Sequence, residues 1–123
     1  MQNGTEEIPY IIDAPSSHED FLKLILPYNL DQKRVIIERI LVSNHKSLRP
    51  ENRDKLERFI QVLLDHFEYV CSQEKLDIGE VDLLSKSIYG LSLEYPEASQ
   101  SYFLSALEDL HEKMHRTGSS FKL

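Results

Sequence analysis

A chain of 123 residues has room for one domain with one core, and 41% hydrophobic against 28% charged residues excludes disorder of the whole chain. A formal net charge of −7 argues against wholesale binding to nucleic acid or to an anionic membrane, although such a sum can hide a local basic patch. Four glycines, no tryptophan and few β-branched runs disfavour a sandwich or barrel and leave helix as the expected class.

In "EIPYIIDAPSS", Pro9 and Pro15 frame the apolar residues Ile8, Tyr10, Ile11 and Ile12, so residues 1–15 read as an extended arm that packs rather than floats. Ser16 and Glu19 have the spacing of a capping box, and Phe21, Leu22, Ile25 and Leu26 follow at helical intervals until Pro27. Asn29 and Gln32 repeat the start signal. The second helix then points Val35, Ile36, Ile40 and Leu41 to one side and lets Lys33, Arg34 and Arg39 reach solvent. It should end near Asn44, a residue type that tolerates the left-handed conformation, before Ser47 and Leu48.

The third helix has the clearest pattern, with Leu56, Phe59, Ile60, Leu63, Leu64, Phe67, Val70 and Cys71 on one wide stripe. Its start is open between Pro50 as first helical residue and Asn52 as cap. Asp77 and Glu80 begin a fourth helix carrying Val81, Leu84, Ile88 and Leu91, with Gly90 weakening it by about 1 kcal/mol relative to alanine. Pro96 ends that helix and starts a fifth, striped by Tyr102, Phe103, Ala106, Leu107, Leu110 and Met114 and stopped at Gly118. The expected fold is all-α: about five helices over residues 16–117 in an antiparallel bundle or a short helical-solenoid segment, with an extended N-terminal arm and a tail at 118–123.

The single Cys71 rules out an internal disulfide, and the chain start lacks the basic and apolar blocks of a secretory signal peptide. No apolar run approaches the roughly 18 residues of a membrane span. A soluble protein of a reducing intracellular compartment is therefore expected.

The sharpest chemical motif is "HEKMH", residues 111–115, which on a helix sets His111 and His115 on one face with Glu112 as a candidate general base, as in zinc peptidases. A catalytic zinc also needs a third protein ligand and a shell that fixes the histidines. Two histidines flanking the core stripe of a solvated helix account for the motif more simply. His18, His45 and His66 are too dispersed to form a metal pattern. No glycine-rich phosphate loop is present, and Cys71 reads as a small buried side chain. No catalytic residue, metal or cofactor is expected, and the chain does not read as an enzyme.

Basic residues gather in the first half, in contrast to the acidic start and the acidic second half. Lys33, Arg34, Arg39, His45, Lys46, Arg49 and Arg53 form a candidate RNA or partner surface, with Lys55 and Arg58 beside it. Glu51, Asp54 and Glu57 are interspersed and dilute the patch, which favours a solvated face with charge pairs each contributing roughly 0.2–0.5 kcal/mol and leaves any nucleic-acid contact auxiliary.

The succession "IPYIIDAPSSHEDF", "IIERILVSNHKSLRPENRDKLERFIQVLLDHFEYV" and "LLSKSIYGLSLEYPEAS" resembles the central region of the nucleolar protein 14 family over roughly residues 7–115. The residues that carry the resemblance are Arg39, Ile40, Asn44, His45, Ser47, Leu48, Asn52, Lys55 and Leu56, with Pro9, Tyr10 and Pro15 before them and Tyr95, Pro96 and Glu97 after. The resemblance implies a non-enzymatic scaffold of the small-subunit processome, in the nucleolus, where pre-18S ribosomal RNA is processed and the 40S subunit begins to form. It implies as partners other assembly factors, including the Noc4 protein and the Emg-one methyltransferase, around U3 small nucleolar RNA and precursor rRNA. Asn44, Ser47, Leu48, Asn52, Lys55 and Leu56 are then expected to brace the link between helices two and three, with Leu48 packing below it. The competing readings are an unrelated helical protein adaptor and a zinc-dependent hydrolase built on His111 and His115.

Overall fold

The computed structural model describes residues 8–116, apart from the side chains of residues 107, 110, 111 and 113–116. Five helices follow one another: α1 (His18–Ile25), α2 (Leu30–Ser43), α3 (Asn52–Cys71), α4 (Ile78–Glu94) and α5 (Pro96–Arg116). Among the described residues there is no strand, and no helix is long and apolar enough to cross a membrane. The all-α expectation holds. The tail expected at 118–123 lies outside the described residues.

The hydrophobic stripes assemble around α3, which packs against α1, α4 and α5, while α2 lies against α4. Phe21 and Ile25 of α1, Ile36, Ile37 and Ile40 of α2, Leu56, Phe59, Ile60 and Leu63 of α3, and Leu84 and Leu91 of α4 form one buried cluster. Each such side chain contributes roughly 1.5–3 kcal/mol relative to an exposed position. Phe21 meets Phe59 edge-on, with ring centroids 5.6 Å apart. Of the arm expected over residues 1–15, residues 1–7 lie outside those described; in the remainder Ile8 and Ile12 enter the same core, while Tyr10 and Ile11 face outward.

Caps set most of the boundaries. Asn29 and Gln32 form the reciprocal capping box at the start of α2, and Asp77 caps α4 through the Glu80 amide. The cap of α1 is Ser17, which accepts from the Asp20 amide at 3.1 Å, not Ser16. The start of α3 matches neither expectation, because Asn52 is its first helical residue and Glu51 precedes it without a side-chain capping bond. Backbone bonds from Asn52 to Arg49 and from Arg53 to Pro50 tighten this entrance instead. Asn44 ends α2 at φ −112°, outside the left-handed region, so its side chain rather than its backbone freedom explains its place.

Two further expectations fail for packing reasons. Leu48 is 63% exposed, because the turn after α2 carries it away from the core. Cys71 is exposed rather than buried, since the last turn of α3 runs past the end of the packed stripe.

A Cβ built on Gly90 meets no heavy atom within 4 Å. Gly90→Ala should therefore stabilise the domain by roughly 0.5–1 kcal/mol through the unfolded state. A urea midpoint that fails to rise would show that the α4 backbone there is not free to accept a side chain.

Candidate functional site

Two polar assemblies stand out from the apolar packing, and a basic turn follows the first of them along the chain. The first clasps the arm onto α2. Asn44, only 2% exposed, donates through Nδ2 to the carbonyls of Ile12 at 2.8 Å and Ile40 at 2.7 Å. Ser43 Oγ accepts from the Ile12 amide at 3.1 Å and donates to the Tyr10 carbonyl at 3.3 Å. Arg39 donates to the Ile8 carbonyl at 2.6 Å and lies 4.2 Å from the centre of the Tyr10 ring. An extended arm has no helical partners for its own carbonyls, so α2 supplies donors from residues on consecutive turns.

The α2–α3 connection is braced in the same way. Asn52 Nδ2 donates to the His45 carbonyl at 3.0 Å, the Ser47 amide donates to His45 Nδ1 at 3.1 Å, and Lys55 pairs with Asp13 of the arm at 3.4 Å. Leu56 sits in the core directly after this turn. His45 Nε2 reaches Glu94 at 3.4 Å, and Lys46 Nζ lies 5.4 Å from the Tyr95 ring centre, tying the turn to the end of α4.

The second assembly crosses the interior. His18 Nε2 stands 3.0 Å from His66 Nδ1, His66 Nε2 stands 3.0 Å from Glu80 Oε2, and Lys33 Nζ donates to Glu80 Oε1 at 3.1 Å. α1, α3, α4 and α2 each give one member. With His66 neutral and Glu80 ionised, the chain is satisfied when His18 donates to His66, which donates to the Glu80 carboxylate. Burial lowers the His66 pKa most, with the His18 and Lys33 charges acting in the same direction and the Glu80 hydrogen bond and charge opposing. Phe21 and Tyr69 pack on the His66 ring at centroid distances of 5.0 and 5.7 Å. A cavity of about 450 Å³ lined by Leu26, Tyr69, Gln73 and Asp77 opens beside Lys33, His66 and Glu80. Both His66 nitrogens are engaged in holding helices together, so His66 itself is not free to act as a base.

The candidate basic surface is thus divided. Lys33 and Arg39, expected to reach solvent, turn inward to Glu80 and to the arm carbonyls. Arg34 pairs along its own helix with Asp31 and Glu38, and Arg53 with Glu57. Lys46, Arg49 and Arg53 remain exposed around the turn, and the side chain of Arg49 alone of the seven has no intramolecular partner among the described residues. The sequence reading missed the interior network. Its available signal was His66 at helical spacing from Leu63 and Val70, inside an otherwise apolar stripe.

Among the described residues no group of three or more His, Cys, Asp and Glu is placed to hold a metal ion. Helix α5 runs through residues 111–115, and the His111 and His115 side chains lie outside those described.

Tyr95 is 1% exposed and its hydroxyl has no partner among the described residues, while burial raises its pKa, helped by the nearby Glu94 and Glu57 charges. Tyr95→Phe keeps the ring under Lys46, so stability should stay level or rise by up to about 1 kcal/mol. A drop in melting temperature would reveal that the hydroxyl is satisfied.

Fold and site together define an all-helical module whose interior polar groups clamp its elements to one another and whose α2–α3 turn carries three exposed cations. The chain belongs to the Nop14-like family, whose profile matches residues 1–122. It is 31% identical to human "Nucleolar protein 14" over 108 residues, covering 87% of this chain and 13% of that protein. It is 36% identical to the Drosophila melanogaster "Nucleolar protein 14 homolog" over 117 residues, covering 89% and 13%. With the Schizosaccharomyces pombe "Probable nucleolar complex protein 14" the identity is 24% over 116 residues, covering 93% and 14%. The chain therefore spans about one eighth of the length of these relatives. Their names place them in the nucleolus, and membership puts the chain in a nucleolar ribosome-biogenesis family. No solved structure matches the chain.

Proposed function

We propose that this domain is a scaffold segment of a nucleolar assembly factor required for pre-18S rRNA processing and 40S subunit formation, acting by contact with other proteins rather than by catalysis. The observation that carries the reading is the family match across nearly the whole chain. The interior polar network supports it, because groups engaged in holding helices together suit a rigid spacer better than a reaction centre. The partners in this reading are ribosome assembly factors, the Noc4 protein and the Emg-one methyltransferase among them, within the particle that holds U3 small nucleolar RNA and precursor rRNA. Direct contact with RNA phosphates falls to Lys46, Arg49 and Arg53, the members of the basic set that stand exposed around the α2–α3 turn.

The test is to replace the parent protein in growing cells with a version lacking residues 8–116. Unprocessed pre-18S RNA should accumulate, free 40S subunits should fall, and particular assembly factors should no longer co-purify with the parent. Normal 18S production with an unchanged set of co-purifying proteins would sink the proposal.

A further inference from the structure

Resting on the scaffold reading, we propose that the groove between α5 and the α3–α4 pair receives a basic amphipathic helix from another protein. An apolar cavity of about 320 Å³ is walled by Leu64 and Phe67 of α3, Ile88 and Tyr89 of α4, and Phe103 of α5. It shares Leu64, Phe67 and Phe103 with a second cavity of about 550 Å³ that continues between α3 and α5. The two are one groove. Its apolar character reaches the surface at Tyr89 and Phe103, which are 66% and 38% exposed. Phe103 and Ala106 belong to the apolar stripe of α5, a pattern that in a finished fold faces a packing partner.

The charge around the groove identifies the occupant. Asp65 of α3 and Asp109 of α5 line its polar edge. Residues 61–72 and 97–112 contain no lysine or arginine, and on the α4 side Lys86 is paired with Asp82. An apolar trough with an acidic edge fits a helix with one apolar face and lysine or arginine flanking it, laid in by anchors at three- and four-residue spacing. RNA is repelled by the same edge. A second copy of this chain would bring either the same acidic edge or the basic helices already packed in its own core.

The experiment places the photo-crosslinking residue p-benzoyl-phenylalanine at Tyr89 and, separately, at Phe103 of the tagged full-length parent in growing cells. After irradiation the adduct peptides are sequenced and the co-purified RNA is measured. Adducts should converge on one segment of another protein with apolar residues at helical spacing and basic flanks. Combined Asp65→Lys and Asp109→Lys should cut the yield by about fivefold or more while leaving the melting temperature of the parent unchanged. Adducts on RNA, on a second copy, on another part of the parent or on a segment without basic flanks would overturn the proposal. So would an absence of adducts, or a yield indifferent to the charge reversal. Precursor rRNA in the same purification keeps the two readings apart: its presence with failed adducts removes the groove assignment alone, and its absence removes the scaffold reading.

Discussion

Glu80→Ala is expected to destabilise the domain by about 3 kcal/mol, because it strips the shared acceptor from Lys33 and His66 in the interior. The side chains of Lys33 and Glu80 are 14% and 9% exposed, so water from the adjoining cavity replaces the lost partner only in part. The loss shrinks when Lys33, His66 and Glu80 are replaced together. The triple variant Lys33→Met, His66→Leu and Glu80→Leu should recover most of that loss, since an apolar replacement leaves no uncompensated charge. Chemical denaturation of both variants checks the pair, and equal losses would show that the residues do not act as a unit.

The same network makes stability depend on pH. The folded-state pKa of His66 lies below its ordinary value of 6.5, so the unfolded chain binds the proton more readily. The stabilisation is fully present above pH 6.5 and is lost as pH falls from there through the folded value. The groups facing His66 are His18 from α1, Lys33 from α2, Glu80 from α4 and Tyr69 from its own helix. His66→Gln should flatten the stability profile between neutral and mildly acidic pH. An unchanged slope would assign the titration to another group.

Asn44→Ala should cost about 2 kcal/mol, since it removes two hydrogen bonds and leaves the Ile12 carbonyl buried without its donor. The loss should be accompanied by release of the arm: the amide of Ile12, bonded to Ser43 Oγ, should exchange with solvent faster than amides in the middle of α3. In contrast, combined reversal of Lys46, Arg49 and Arg53 to glutamate touches exposed positions and should leave the melting temperature within a few degrees. If that reversal melted the domain, the turn would be structural rather than a docking face.

The helices were legible because their information is local. The stripe from Leu56 to Val70, the Asn29–Gln32 box and the Asp77 cap each need only neighbours within one or two turns. What escaped depends on pairs far apart in sequence. Glu80 reads locally as a capping residue, yet its carboxylate meets His66 and Lys33, residues that share no local pattern with it. Arg39 and Lys33 read as solvated cations on a helix, and only the positions of the arm and of α4 turn them inward. Leu48 and Cys71 failed for the complementary reason: an apolar residue type says nothing about whether its turn still lies over the core.

The most direct test of the whole account is purification of the tagged, intact parent from growing cells, followed by sequencing of its bound RNA. Precursors of 18S rRNA and U3 small nucleolar RNA should be recovered well above an untagged control. Their absence from the intact parent would contradict the role in small-subunit assembly and leave a braced helical domain whose partners must be sought elsewhere.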